Sequence, residues 1–259
     1  MHITPELIAM LALVALVAGF IDAMAGGGGL LTIPALLASG IPPVYALGTN
    51  KLQSCFGTGG AFLAFARKGH IDFRRFGVPA ACVLAGAALG AFVLQSINSA
   101  FLSGFVPALL IAMAIYFLVA PKMGEDDRHA RLAPAGLAQL LAAIGFYDGF
   151  FGPGTGSFFT AALVGLAGLG MVRAIAHAKF FNFASNLAGL AVLVASGKVL
   201  WTLGFAMAAG SILGNQLGAL AAMRFGGRGV RPLLVVMSLA LTANLLMNPA
   251  NPLRLWIGL

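Results

Sequence analysis

The sequence predicts an all-α polytopic membrane protein built from two inverted five-segment repeats, with short broken or re-entrant helices. Three observations carry that prediction. Of 259 residues, 60% are hydrophobic and only 8% are charged, against roughly 25% charged in a soluble domain. The apolar residues fall in long unbroken runs rather than in the short alternating segments of a β-barrel. The second half of the chain repeats the polar landmarks of the first at offsets of 126 and 128 residues.

The charge count excludes several classes. With 15 Lys+Arg and 7 Asp+Glu there are too few charges to cover a water-facing surface, so a soluble globular enzyme does not fit. Disorder fails for the opposite reason, because the chain is too apolar. The net charge of +8 would suggest nucleic acid in a soluble domain. Here Lys and Arg in short loops orient the chain in a lipid bilayer, and no nucleic-acid partner is expected. Cys55 and Cys82 both fall in apolar segments and are expected to be buried free thiols.

Apolar stretches run at 5–22, 30–39, 43–66, 75–95, 100–120, 134–151, 156–168, 171–196, 201–223 and 231–248. The first is expected to be a retained helix and not a signal peptide. No Lys or Arg precedes Lys51, Glu6 interrupts the n-region, and no small-residue cleavage site follows. Most stretches approach the ~20 residues that span hydrocarbon. The exceptions, 30–39 and 156–168, each follow a glycine-rich break, GGGG at 26–29 and GPGTG at 152–156. Glycine and proline interrupt helix there. The polar segment 121–133 divides the chain into a first repeat, 1–120, and a second, 134–259.

The repeat shows in pairs of matching positions. GFID at 19–22 matches GFYD at 145–148, and ALGTNKLQS at 46–54 matches AIAHAKFFN at 174–182. GAALGA at 86–91 matches GNQLGA at 214–219, and Pro107 corresponds to Pro232 after a small gap. Gly86-x3-Gly90 and Gly214-x3-Gly218 have the spacing of close helix contacts.

Loop charge sets topology. Arg67, Lys68, Arg74 and Arg75 place the 67–75 loop in the cytoplasm, whereas its counterpart near 195–203 has only Lys198. The 95–100 loop has no Lys or Arg, but its counterpart carries Arg224, Arg228 and Arg231. The bias reverses between equivalent loops, as inversion requires. Five crossings per half put both termini outside and make 121–133 a cytoplasmic linker. If the two short segments are re-entrant instead, about eight crossings and parallel repeats result.

Asp22, Lys51, Asp148 and Lys179 lie inside or at the ends of apolar runs, and they form two repeat-related pairs. Each such charge costs ~2.5–3.5 kcal/mol at a helix centre, so all four should face protein or a water-filled cavity. Lys51, eight residues after Pro43, sits ~12 Å into its helix. Inversion brings Lys179 to a similar depth from the other side. Two lysines meeting near the midplane make an anion site. The alternative is that each lysine neutralises the aspartate of its own repeat.

The glycine breaks add to the anion site. Helices starting after Gly29 and after Gly156 point N–H groups and positive dipole ends into it. Gly28 and Gly154, without side chains, let an oxyanion approach closely. Thr32, Thr155 and Ser157 offer hydroxyls, with capping as the ordinary alternative. Thr49, Asn50 and Asn182 flank the lysines and either bind substrate or bridge helices. Asp22, Asp148 and His177 are the candidates for carrying a coupling proton, and His177 also suits a packing role. GPGTGS at 152–157 lacks the lysine and the preceding strand of a phosphate loop. No Ser–His spacing supports a protease.

GFIDAMAGGGGLLTIPAL followed by ALGTNKLQ and RKGHIDF resembles the sulfite exporter TauE/SafE family of membrane permeases. The second half repeats the pattern more loosely, with GFYDGFFGPGTGS and AHAKFFN. The resemblance runs from about residue 10 to residue 248. His177-Ala178-Lys179 stands where the first repeat has Thr49-Asn50-Lys51, so the two sites are not chemically equivalent. The resemblance implies movement of small sulfur oxyanions or organosulfonates across the cytoplasmic membrane, driven by a proton or another ion. The expectation is a secondary transporter with a small anionic substrate and no cofactor. An anion channel is the alternative, and a membrane-embedded enzyme ranks below both. Direction of transport, coupling ion and assembly as a homo-oligomer are left open.

Overall fold

The computed structural model describes residues 4–119 and 129–225. Most of the linker, Arg228, Arg231, Pro232 and the apolar stretch at 231–248 lie outside the described residues. Within them the chain forms α1 (Pro5–Ala25), α2 (Gly29–Ala38), α3 (Pro43–Arg67), α4 (Phe73–Gln95), α5 (Ser99–Val119), α6 (Pro134–Phe150), α7 (Thr155–Gly165), α8 (Met171–Ala195) and α9 (Trp201–Phe225). No strand occurs among the described residues.

Local chemistry sets the helix ends. Proline opens α1, α3 and α6, where its missing N–H costs nothing. Thr4 caps α1 by accepting the Leu7 N–H, and Asp72 caps α4 by accepting the Arg75 N–H at 3.0 Å. That last bond holds the Asp72 carboxyl below the usual carboxylate range.

By length and composition, α1, α4, α8 and α9 can each cross a membrane. Helices α2 and α7 have only 10 and 11 residues. At 1.5 Å per residue they reach roughly 15–17 Å, half the hydrocarbon thickness. Each follows a break, at Gly26–Gly28 and at Phe151–Gly154. The two breaks pack on each other: Gly26 lies against the backbone of Gly156 and Ser157, and Gly29 against Pro153.

Partners are exchanged between the halves. Helix α1 packs most extensively on α9, and α4 on α6. These contacts are backbone to backbone, as the small-residue spacing predicts. Gly210, Gly214 and Gly218 of α9 face the carbonyls of Ala12, Leu16 and Phe20. Gly86 and Gly90 of α4 face those of Ala142 and Phe146. A Cβ at any of these would drive the helices apart.

The burial pattern is that of a protein whose solvent is lipid. Val78 and Phe92 are 73% and 65% exposed, while Lys51 and Lys179 are 2% and 1% exposed. Cys55 is buried as expected; Cys82 is only partly so.

Candidate functional site

The site begins with two lysines in the middle of long helices, Lys51 on α3 and Lys179 on α8. Neither pairs with the aspartate of its own half. Lys51 Nζ lies 2.6 Å from Asp148 Oδ1 at the end of α6. Lys179 Nζ lies 2.7 Å from Asp22 Oδ2 near the end of α1 and also donates to the Asp22 carbonyl. Within-repeat pairing is therefore overturned: both ion pairs cross between halves. Close pairing is what lets four such charges stay buried.

The glycine breaks complete the carboxylates' surroundings. Asp22 Oδ1 accepts the N–H groups of Gly27 and Gly28 at 3.0 and 3.1 Å. The start of α2 thus already holds an anion, the protein's own. In the other half Ser185 on α8 donates to Asp148 Oδ2. Gly152, at φ 101°, passes close to the Asp148–Lys51 pair; a Cβ there would lie 3.0 Å from Asp148 Oδ1 and 3.1 Å from Lys51 Nζ. Only a bare backbone fits.

Hydroxyls and amides tie the first break to α3, the second to α6, and the two breaks to each other. Thr32 Oγ1 lies 2.6 Å from Asn50 Oδ1 and 3.2 Å from the Gly28 carbonyl. Its counterpart Thr160 donates to the Gly156 carbonyl at 2.7 Å. Thr155 Oγ1 donates to the Gly152 carbonyl, and Tyr147 OH to that of Pro153. Ser157 Oγ is 3.4 Å from the Gly26 carbonyl and so bridges the two breaks.

Between these elements lies a small, strongly polar cavity. Both broken segments contribute backbone to it, through Gly27, Gly29, Gly152, Gly154 and Gly156. Asp22, Asp148, Asn50, Thr155 and Asn182 line it too, so most of the sequence-predicted residues converge. Lys51 and Lys179 stand behind the aspartates and do not form the wall. Gly28, Thr32 and Ser157 also fall outside the lining.

Ser54, Thr58 and Asn186 line the cavity without having been singled out from sequence. A readable signal existed. Positions three and seven residues after Lys51 are Ser54 and Thr58; those after Lys179 are Asn182 and Asn186. That spacing marks one helix face, the face of the buried lysine.

Thr49 and His177 are not brought into the cavity. Thr49 Oγ1 accepts the Leu200 N–H at 3.1 Å. His177 Nε2 accepts the Asp72 N–H at 3.0 Å, which leaves its proton on Nδ1, facing the Arg173 carbonyl at 2.8 Å. Thr49 and His177 are repeat counterparts, and so are Leu200 and Asp72. Different side chains make the same tie, from a mid-chain helix of one half to a connecting loop of the other.

The chain is similar to proteins named as probable membrane transporters. A family model described as Sulfite exporter TauE/SafE matches residues 11–245. The chain is 48% identical to a probable membrane transporter protein, ORF9, of Sinorhizobium sp, over 98% of this chain and 97% of that one. It is 48% identical to a probable membrane transporter protein of Haemophilus influenzae, over 95% and 96% of the two chains. It is 40% identical to the probable membrane transporter protein YfcA of Escherichia coli K12, over 99% and 96%. No solved structure matches. With the family model covering nearly the whole chain and the buried charges gathered where its two halves meet, this multi-pass membrane protein belongs to the sulfite exporter TauE/SafE family of transporters.

Proposed function

We propose that the chain is a secondary transporter that carries a small sulfur-containing anion, such as sulfite or an organosulfonate, across the cytoplasmic membrane. The observation that carries this reading is the central cavity bounded by two cross-half Lys–Asp pairs. The anion occupies that cavity, with Asn182 Nδ2 and the Ser54 hydroxyl as donors; Asn186, Thr58 and Thr155 line it but donate to Asn182, Ser54 and Gly152. The positive ends of α2 and α7 add to the attraction. Two inverted repeats, 1–120 and 134–259, rock against one another around it.

Charge balance explains why such a site would be gradient-coupled. At rest the two lysines are offset by two aspartates. An anion entering alone meets a carboxylate. At ~5 Å and an effective dielectric of ~20, like charges repel by roughly 3 kcal/mol, a factor above a hundred in affinity. A proton taken up by Asp22 or Asp148 removes that repulsion and frees a lysine for the anion. A proton alone leaves a buried lysine unpaired. Proton and anion therefore favour binding together. Of the three proton candidates, the aspartates carry this reading, because both His177 ring nitrogens are engaged by the Asp72 and Arg173 backbone.

The test is flux into proteoliposomes with a panel of sulfite, thiosulfate, sulfonates and carboxylates, with and without a pH gradient. Saturable uptake that follows the gradient is expected for one sulfur anion class, and Lys51→Ala should abolish it. Unchanged uptake by Lys51→Ala refutes the site. Flux that never saturates favours the channel reading.

A further inference from the structure

A second small cavity adjoins the first between α1, α3 and α9. The two share Asp22, Gly29, Ser54 and Thr58 in their walls. The second adds Gln53, Ser211 and Asn215. Gln53 is 4% exposed and Asn215 1%, yet Gln53 Oε1 and Asn215 Oδ1 accept no hydrogen bond among the described residues.

Both amides donate through their nitrogens. Gln53 Nε2 donates to Asn50 Oδ1 at 3.1 Å and to Ser54 Oγ at 2.9 Å. Asn215 Nδ2 donates to the Ser211 carbonyl at 3.0 Å. Turning the Asn215 amide would set its oxygen against the Ser211 carbonyl, and Gln53 could turn only together with Asn50, whose Oδ1 also meets Thr32 Oγ1. Glycine keeps space around the group, since a Cβ at Gly19 would lie 2.7 Å from Asn215 Nδ2, and one at Gly57 2.6 Å from it.

Helix packing alone does not require these polar side chains. At the 128-residue offset, Gln53, Ser211 and Asn215 correspond to Phe181, Val83 and Ala87. All three are fully buried and apolar. The same helix crossing is thus built twice, once with hydrocarbon and once with oxygen. Burying acceptors without donors is unfavourable, and the chain does so on one side only.

We propose that the second cavity binds a small monovalent cation of the sodium type. Its ligand set consists of hard oxygens: the free amide oxygens of Gln53 and Asn215, the hydroxyls of Ser54, Thr58 and Ser211, and the Asp22 carboxylate. One carboxylate, already paired with Lys179, supplies too little negative charge for a divalent ion. Cation and anion then sit in adjoining cavities with Asp22 between them, and each raises the affinity of the other. The coupling role rests on the transporter reading above; cation binding itself does not.

The experiment uses the purified full chain in detergent without substrate. Sodium chloride replaces choline chloride at constant ionic strength, and thermal stability is followed. A saturable rise in Tm of several degrees is expected. Asn215→Ala and Ser211→Val install the side-chain types that the other half carries at these positions, and each should weaken the apparent sodium affinity about tenfold or more. Radioactive-sodium binding to the wild-type chain reads the same site should either variant fail to fold. No sodium-specific rise and no sodium binding, or a rise undiminished in both folded variants, overturns the proposal and leaves the two oxygens to ordered water. Sodium binding intact in a protein that moves no sulfur anion supports the cation site and refutes the sulfur-anion reading.

Discussion

Lys51 and Asp148 stand 97 residues apart in the chain, and their charged atoms lie 2.6 Å apart. With its counterpart, Lys179 to Asp22 across 157 residues, this contact makes each half supply the counter-charge that the other half needs. The two halves are therefore electrically unfinished when separated.

Single and double changes at this pair should differ. Lys51→Met leaves Asp148 buried without its cation, and stability should fall by about 3–5 kcal/mol. Lys51→Met/Asp148→Leu replaces both charges with apolar side chains and should recover most of that loss. Neither should transport. Thermal melts in detergent paired with proteoliposome flux check both statements; a double variant no more stable than the single one would show that the pair contributes through something other than mutual neutralisation.

Gly26 carries two constraints at once, a backbone conformation that glycine almost alone adopts (φ 74°, ψ 151°) and the contact between the two breaks. Gly26 and Gly40 have nearly the same positive φ, 74° and 77°, but a Cβ on Gly40 meets nothing within 4 Å, whereas one on Gly26 meets the Gly156 and Ser157 backbone. Gly40→Ala should lose about 1–2 kcal/mol, the cost of the left-handed conformation, and keep transport. Gly26→Ala should lose transport altogether. Equal behaviour of the two would mean that contact between the breaks is unimportant.

The loop ties offer a separate test of His177. His177→Thr, which borrows the side chain of Thr49, keeps an acceptor for the Asp72 N–H and should preserve both flux and its pH profile. His177→Leu leaves that N–H without its partner and should lower stability by about 1–3 kcal/mol. A flux pH profile displaced in the threonine variant would make His177 a proton carrier after all.

Much of this was legible in the sequence, for reasons that show where legibility stops. Long apolar runs located the helices, because lipid leaves the backbone few choices. The breaks at 26–29 and 152–156 were visible because glycines cluster there, four in a row in the first and three in five residues in the second. The four buried charges stood out because charge is scarce in the apolar runs. What could not be read was which partner each charge would take. Pairing within a repeat and pairing across repeats have the same composition and spacing, and only the exchange of partners between α1–α9 and α4–α6 decides. Ser54, Thr58 and Asn186 were readable in principle, but isolated hydroxyls and amides do not announce which helix face holds the lysine. The free oxygens of Gln53 and Asn215 depend on tertiary contacts no local pattern encodes.

Inversion of the halves has its own measurement. In a background lacking Cys55 and Cys82, single cysteines at Gln95 and at Gly226, which lies beyond the described residues, should react with impermeant reagents from opposite sides of the membrane. The same side for both would favour the eight-crossing arrangement.

The exchanged partners also constrain how the chain is made. Synthesis runs from α1 onward, so Asp22 enters the membrane well before Lys179 exists. Until α8 follows, α1 carries an uncompensated polar group worth ~2.5–3.5 kcal/mol against insertion, and the glycine face of α9 that receives it is still untranslated. The first half thus waits in the bilayer as an unfinished intermediate. A ribosome stalled before Lys179 should leave a product prone to degradation, and co-expression of the second half as a separate chain should rescue it.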